Sequence, residues 1–98
     1  MAIVTLRYWA AAKEAAGIAE EAVSAGTLAE ALAAASGDAD EAGPDRRGER
    51  SERNARLRAI LVRSSFLVDG TPVGTRAPEA VVLGDGSVVE VLPPFAGG

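Results

Sequence analysis

Alternating residues near the start of the chain constrain the fold more than any other feature. In the segment AIVTLRY, Val4, Leu6 and Tyr8 lie on one side of an extended backbone, and the valine-rich SVVEVL, residues 87–92, is the last strand. A period of two residues is typical of a strand with one buried face. The sequence therefore predicts a strand near each end. The opposite face of the first strand carries Ile3, Thr5, Arg7 and Trp9.

Two short helices are predicted after the first strand. Residues 10–16 are rich in alanine, the best helix former, and Gly17 follows them as a C-terminal cap. Thr27 is followed three residues later by Glu30, which matches a capping box, and apolar residues then recur at helical spacing until Gly37. The chain therefore changes from a strand period to a helix period.

Further strands and turns are indicated by shorter signals. Residues 20–26 predict a weak strand between the two helices. The segments SFLV and TPV flank Asp69 and Gly70, and this dipeptide is a strong signal for a two-residue hairpin. Asp85 and Gly86 predict a tight turn before the last strand. The order of elements is therefore sheet, helix and sheet.

A long polar segment interrupts this pattern. Residues 38–54 are rich in Gly, Ser, Arg and Asp and show no apolar periodicity. Irregular segments of more than about 12 to 15 residues are usually disordered or functional. We therefore predict a mobile charged insertion within one domain that spans residues 1–98. Leu57, Ile60 and Leu61 follow it and predict a third short helix.

Composition excludes several classes of function. The chain has no cysteine and no histidine, so it lacks the usual bases, nucleophiles and ligands of hydrolases and zinc sites. Fourteen acidic against ten basic residues give a net charge of −4, which argues against a general nucleic-acid binder. The six arginines of residues 38–58 are interleaved with six acids, without an aromatic residue for base stacking. We expect no nucleic-acid partner, and the acidic remainder of the chain suits a basic protein surface.

Hydropathy and the first residues bear on localisation. No stretch approaches the roughly 18 to 20 continuous apolar residues of a membrane span. Met1 leads directly into a strand pattern rather than into a charged start and an apolar signal run. We therefore expect a cytoplasmic protein with no membrane partner.

The final residues, LPPFAGG, predict an extended arm rather than a fraying end. Pro93 and Pro94 end the strand because proline has no amide hydrogen to donate, and they favour an extended backbone. The four residues after them could project by about 13 to 14 Å. Gly97 and Gly98 have no β-carbon, so the arm is thinnest at its tip and fits a narrow channel. Residues 93–98 are therefore predicted to carry an α-carboxylate into a partner enzyme, which must activate it.

These segments carry a resemblance to a known family. LGDGSVVEVLPPFAGG resembles the C-terminal signature of the ubiquitin-like sulfur carriers of the MoaD/ThiS family, and its ending is most similar to the small subunit of molybdopterin synthase. The segment VTLRYWAAAKEAAG resembles the first strand and helix of that subunit. The resemblance implies an α+β fold of the β-grasp (ubiquitin-like) type. Its first and last strands run parallel at the centre of a mixed sheet, with helices on one face.

The resemblance also implies a function that needs neither cysteine nor histidine. In the family, an E1-like adenylating enzyme uses ATP to activate the terminal glycine, and a sulfur donor protein supplies a persulfide. The resulting thiocarboxylate enters the large catalytic subunit of molybdopterin synthase and sulfurates a pterin precursor. The carrier is a non-catalytic subunit that binds no cofactor. Carried onto this chain, Gly98 is the modified residue and Gly97 the thin link, and partner contacts fall on Trp9, Leu92, Pro93, Pro94, Phe95 and Ala96.

The role of Trp9 has two interpretations. Strand alternation places it opposite Val4, Leu6 and Tyr8, and exposed tryptophan is enriched at interface hot spots. It could instead cover the sheet edge or pack under the first helix. The resembling family has an aromatic residue here at its partner interface, which favours contact.

Alternative functions stay open at this stage. The chain could carry sulfur for thiamine or cysteine synthesis rather than for molybdopterin. It could be a ubiquitin-like modifier conjugated to lysines through Gly98, or a β-grasp interaction domain with an inert tail. The Pro-Pro-Phe context favours the carrier over the modifier.

Overall fold

The computed structural model of the protein describes residues 2–35 and 47–94. Five strands, three α-helices and a short 3₁₀-helix are present in these residues. In chain order they are β1 (Ala2–Tyr8), α1 (Ala10–Ala16), β2 (Glu20–Ala25), α2 (Leu28–Ala34), α3 (Arg47–Arg63), β3 (Ser65–Val68), β4 (Thr71–Pro72), the 3₁₀-helix (Pro78–Ala80) and β5 (Val88–Leu92).

The strands form one mixed sheet in the order β2-β1-β5-β3-β4. β1 is antiparallel to β2 and parallel to β5, with Leu6 opposite Val89 and Tyr8 opposite Val91. β3 is antiparallel to both β5 and β4. Parallel neighbours need a long crossover, and most of the chain lies between these two strands. The predicted β-grasp arrangement, with the first and last strands parallel at the centre, is confirmed.

One face of this sheet packs against the helices and forms the core. Its central side chains are almost fully buried: Val4, Leu6, Tyr8, Val89 and Val91. The helices contribute buried residues to the same cluster: Ala12, Ala15, Ala16, Leu28, Ala31, Leu57 and Leu61. The predicted alternation of β1 is confirmed. We call the opposite side the outer face, which carries Ile3, Thr5 and Arg7 on β1 and Val88, Glu90 and Leu92 on β5.

The end of α1 and the start of α2 agree with the sequence prediction, whereas α2 stops at Ala34, before the predicted end at Gly37. Gly17 follows α1 in a left-handed conformation (φ 79°), and its N–H donates to the carbonyl of Lys13. At the start of α2, the Thr27 hydroxyl accepts a hydrogen bond from the N–H of Glu30, whose carboxylate accepts from the N–H of Gly26 at 2.7 Å. Helices of seven residues are marginal alone, so burial of their apolar faces stabilises them.

The hairpin prediction is also confirmed. Asp69 and Gly70 connect β3 to β4 with φ of 50° and 85°, as expected for the positive φ values of a two-residue type I′ turn. Gly86, before β5, has a φ of 88°. The sequence-predicted turns therefore lie where the chain reverses.

The third helix is much longer than predicted. α3 begins at Arg47, so residues 47–54 are helical, which corrects their assignment to an irregular insertion. The absence of apolar periodicity was misleading here, because arginine and glutamate are themselves good helix formers. Glutamates 49 and 52 also precede arginines 53 and 56 by four residues, a spacing that supports helices. Gly37 and residues 38–46 lie outside the described residues.

None of the helices in residues 2–35 and 47–94 is both long enough and apolar enough to cross a bilayer.

Candidate functional site

The candidate site begins where the last strand ends. β5 stops at Leu92, which is half-buried; Pro93 is buried and Pro94 is exposed. The two prolines lie against a hollow of about 100 Å³ whose other walls are Ala11 of α1 and Ile60 and Arg63 of α3. Pro93 is therefore packed into the body, between α1 and α3. The predicted end of strand pairing at the prolines is confirmed.

Trp9 lies beside the end of β5. Its backbone N–H donates to the carbonyl of Val91 at 3.3 Å, which ties the start of α1 to the end of β5. Its side chain is 45% exposed, and the indole N–H donates to a carboxylate oxygen of Glu90 at 3.1 Å. Trp9 is therefore not buried under α1, and it presents an exposed aromatic surface next to the prolines.

A strip of charge crosses the outer face beside Trp9. The register places Arg7 between Glu20 on β2 and Glu90 on β5. Arg7 Nε and Glu20 Oε2 lie 3.3 Å apart, and both side chains are well exposed. Two carboxylates against one guanidinium leave the strip negative, which favours a basic partner surface.

Apolar side chains occupy the rest of the outer face. Ile3 is 54% exposed at the far end of β1. Val88, Leu67 and Leu92 are half-buried on β5 and β3. Exposed apolar area next to a projecting segment is a common feature of protein interfaces.

The backbone is strained at Ala10, the first residue of α1. Ala10 has a φ of 49°, a left-handed conformation that costs an L-residue with a β-carbon about 1 to 2 kcal/mol. Hydrogen bonds on both sides hold it: the Trp9 N–H donates to Val91, and the Trp9 carbonyl accepts from Ala12 at 3.0 Å. Strain of this kind clusters at binding and active sites.

The sequence-predicted site residues divide into two groups. Trp9, Leu92, Pro93 and Pro94 are brought together, although they lie more than 80 positions apart in sequence. Because Pro93 is buried, its role in the isolated chain is to anchor the end of β5 rather than to offer a contact surface to a partner. The other predicted residues lie outside the described part: Phe95, Ala96, Gly97 and Gly98.

Sequence reasoning missed several neighbours of the site. Alternation could have placed Glu90 on the outer face, but its contact with Trp9 depends on the strand register. Ile60 and Arg63 are brought to the prolines by the docking of α3, for which the sequence contains no local signal. Nothing in the sequence indicates the positive φ of Ala10. Within residues 2–35 and 47–94, no group of three or more acidic side chains could hold a metal ion.

Comparisons with known proteins identify structural neighbours. No protein-family model matches the sequence, and no curated protein matches it. The small archaeal modifier protein 1 of Methanosarcina acetivorans matches with a TM-score of 0.70 and 19% identity, over 100% of this chain and 98% of that one. The putative molybdopterin converting factor subunit 1 of Pyrococcus furiosus matches with a TM-score of 0.63 and 19% identity, over 97% of this chain and 100% of that one.

A third neighbour comes from an assembly. A chain in the complex of subunits 1 and 2 of molybdopterin-converting factor from Helicobacter pylori matches with a TM-score of 0.61 and 20% identity, over 98% of this chain and 99% of that one. At these identities the likenesses show the fold. The chain has the ubiquitin-like β-grasp fold, and its neighbours include converting-factor subunits, the type that the sequence resemblance indicated, together with small archaeal modifiers.

Proposed function

We propose that this chain is a sulfur carrier for molybdopterin biosynthesis. In this proposal an E1-like enzyme uses ATP to adenylate the carboxyl group of Gly98, with release of pyrophosphate. The persulfide of a sulfur donor protein then displaces AMP, and a thiol reduces the resulting acyl disulfide to the thiocarboxylate. The chain contributes a substrate and a docking surface rather than catalytic side chains. Because the activation consumes ATP, we place the reaction in the cytoplasm.

One observation carries this proposal. The parallel β1–β5 pair brings the exposed Trp9 beside Pro93 and Pro94, which in sequence precede the two terminal glycines by only a few residues. A packed proline at the end of β5 restricts the direction of the arm, and a neighbouring aromatic residue can dock the body on a partner. Together they support a segment delivered into another protein's site.

The partner in this proposal is the large catalytic subunit of molybdopterin synthase. The structural likeness to a subunit of the Helicobacter pylori complex supports this choice. The contact surface is Trp9 with the charged strip of Glu20, Arg7 and Glu90, together with Leu92 and Pro94. The arm of residues 95–98 enters the large subunit from the edge of this surface.

Mass spectrometry tests the proposed chemistry. The chain is incubated with the activating enzyme, ATP and a sulfur source, and its intact mass and C-terminal peptide are measured. We expect one oxygen of the Gly98 carboxyl group to be replaced by sulfur. An unmodified chain, under conditions that convert a known carrier, would refute the proposal.

A second candidate is a protein modifier. The structural likeness to small archaeal modifier proteins favours it. In this case the activated carboxyl group of Gly98 forms an amide with a lysine of a target protein. Peptides branched at lysine and carrying the chain's C-terminal residues, found in the native host, would favour this candidate over the carrier.

A further inference from the structure

The strand β2 forms one edge of the sheet, and its register shows which peptide groups face outward. Among the strands of residues 2–35 and 47–94, it pairs only with β1. The Tyr8 N–H donates to the carbonyl of Ala19 at 2.8 Å, and the register continues through Leu6 opposite Glu21. Hydrogen-bonded pairs alternate along an antiparallel ladder, so the residues between them direct their N–H and C=O groups away from β1. These are Glu20, Ala22 and Ser24, all exposed.

The open edge has defined limits. Past Ser24, the carbonyl of Gly26 accepts from the N–H of Leu83 at 2.9 Å, so the segment around Leu83 continues the pairing there. The edge therefore consists of residues 20–24, EEAVS. This stretch has no proline or lysine, which often protect edge strands. Such an edge is a template for another strand.

We propose that this edge pairs with the same edge of a second copy of the chain, antiparallel and centred on Ala22. In this register Ala22 faces Ala22, and each Glu20 faces Ser24 of the second copy. The three facing pairs would exchange about six N–H···O bonds. The edge is thus complementary to itself.

Charge disfavours the registers that are shifted toward the glutamates. Centring the pair on Glu21 or on Glu20 would set two carboxylates directly opposite each other, which is unfavourable. Centring it on Ala22 keeps the glutamates of the two copies apart. It also gives each Glu20 carboxylate a serine hydroxyl as a donor, while the exposed Arg7 remains its ion-pair partner within the same copy.

The dimer would leave Trp9 and the two prolines of the proposed carrier site free, because only Glu20 of that surface lies on the β2 edge. A two-fold axis at Ala22 perpendicular to the sheet joins the two five-stranded sheets into one and keeps both outer faces on the same side. The prolines of the two copies then lie at opposite ends of the joined sheet. This inference does not depend on the proposed sulfur chemistry.

Sedimentation equilibrium of the whole chain tests the proposal. Two five-residue strands bury less than the roughly 1,200 Å² of a standard interface, so the dimer is weak and the series should extend from about 10 µM to about 1 mM. We expect a monomer–dimer equilibrium. Amide exchange measured by NMR should show protection of the Glu20, Ala22 and Ser24 N–H groups that rises with concentration. A chain that stays monomeric throughout overturns the proposal and leaves the edge to a different protein.

Variants of Ser24 test whether opposite charges at this position shift the dissociation constant of the dimer in opposite directions. Ser24→Lys sets an ammonium opposite Glu20 of the second copy, and Ser24→Glu sets a carboxylate there. Each contact occurs twice, so the dissociation constant should fall and rise, respectively, by about 2-fold to 30-fold. Equal shifts for both variants, or no shift, would mean that the dimer forms through another surface and would overturn the proposal.

Ala22→Pro tests the backbone pairing. The N–H of Ala22 faces away from β1. Proline at this position therefore removes a donor from the dimer pairing while the β1–β2 pairing is retained. We expect dimerisation to be lost and the melting temperature of the monomer to stay within a few degrees of the parent. Ala22→Ser, which keeps the N–H, is the matched control and should dimerise like the parent. A proline variant that is folded and still dimerises contradicts the proposed pairing.

Discussion

The two ends of the central β1–β5 pair are finished in different ways. At one end, which we call the closed end, side chains bind the backbone: an Asp69 carboxylate oxygen accepts from the N–H of Val88 and an Asp85 carboxylate oxygen accepts from the N–H of Ile3, both at 2.9 Å. The Gly86 N–H donates to the carbonyl of Ile3, also at 2.9 Å. At this end, the N–H groups of Ile3, Gly86 and Val88 have hydrogen-bond acceptors within the chain.

The other end, which we call the open end, presents its groups outward. Trp9 is nearly half exposed there, and Pro94 is exposed as well. The indole N–H of Trp9 donates to Glu90 at the surface. The open end therefore has surface to offer a partner, and the closed end has hydrogen bonds that hold the sheet together.

Positive φ angles sharpen this contrast. Asp69 at the closed end and Ala10 at the open end have nearly equal φ values, 50° and 49°. Aspartate tolerates the left-handed region well, whereas alanine does not. Local sequence and backbone thus agree at the closed end and conflict at the open end, as is expected when function rather than stability selects a conformation.

The largest expected effect concerns the tip of the arm at the open end. Deleting Gly98 moves the reactive carbon back by up to about 3.5 Å, and Gly97→Val adds a branched side chain where a channel should be narrowest. A displacement near 1 Å can cost about a hundredfold, so we expect at least that loss in the rate of thiocarboxylate formation, with the melting temperature unchanged. Mass spectrometry over time measures the rate.

A glycine at the closed end supplies the matched control for the arm. Gly70→Ala forces a β-carbon into a φ of 85° and should lower stability by about 1 kcal/mol, while the folded protein is loaded at the parent's rate. If the Gly98 deletion were loaded normally, the arm would not be the reactive segment.

The second effect concerns the exposed aromatic residue. Trp9→Ala should weaken binding to the large synthase subunit by about 2 kcal/mol, or roughly thirtyfold, with little change in the melting temperature. Calorimetric titration measures this. Ile3→Ala, on the same face but at the closed end, is the control and should cost less than about 0.5 kcal/mol. A collapse of the melting temperature in Trp9→Ala would instead assign Trp9 a structural role.

A smaller effect is expected from the turn at the closed end. Asp69→Ala removes the acceptor for the Val88 N–H and places alanine in the left-handed region, so the free energy of unfolding should fall by about 1 to 2 kcal/mol. Asp69→Asn keeps an acceptor oxygen and should stay near the parent. Urea unfolding measures both. A loss of loading in folded Asp69→Ala would contradict the division between the two ends.

The smallest effect is a gain in stability at the open end. Ala10→Gly relieves the positive φ and should raise the free energy of unfolding by about 0.5 to 1 kcal/mol, a few degrees in melting temperature. Ala11→Gly, one residue later in the helix, should lower stability by a similar amount because glycine is a poor helix former. Equal losses in both variants would show that Ala10 is not strained in solution.

The accuracy of sequence reasoning differed between the helices for a physical reason. α1 and α2 begin or end at residues whose chemistry marks a helix end, Gly17 and Thr27, and both were predicted closely. The first half of α3 has no apolar stripe, and its helical tendency comes from arginine and glutamate, which are equally common in irregular segments. Its last turns, with Leu57 and Leu61, pack on the core and could be recognised from spacing.

By itself, the sequence determined the features that depend on neighbouring residues: the strand alternation of β1, the Asp69–Gly70 turn and the end of β5 at the prolines. Each follows from backbone sterics or from side-chain periodicity within a few residues. The tertiary structure alone decided the register of β1 on β5, which sets Trp9 beside Glu90, and the docking of α3, which buries Pro93. These depend on contacts between segments far apart in the chain, whose free energy is gained only when the whole core packs.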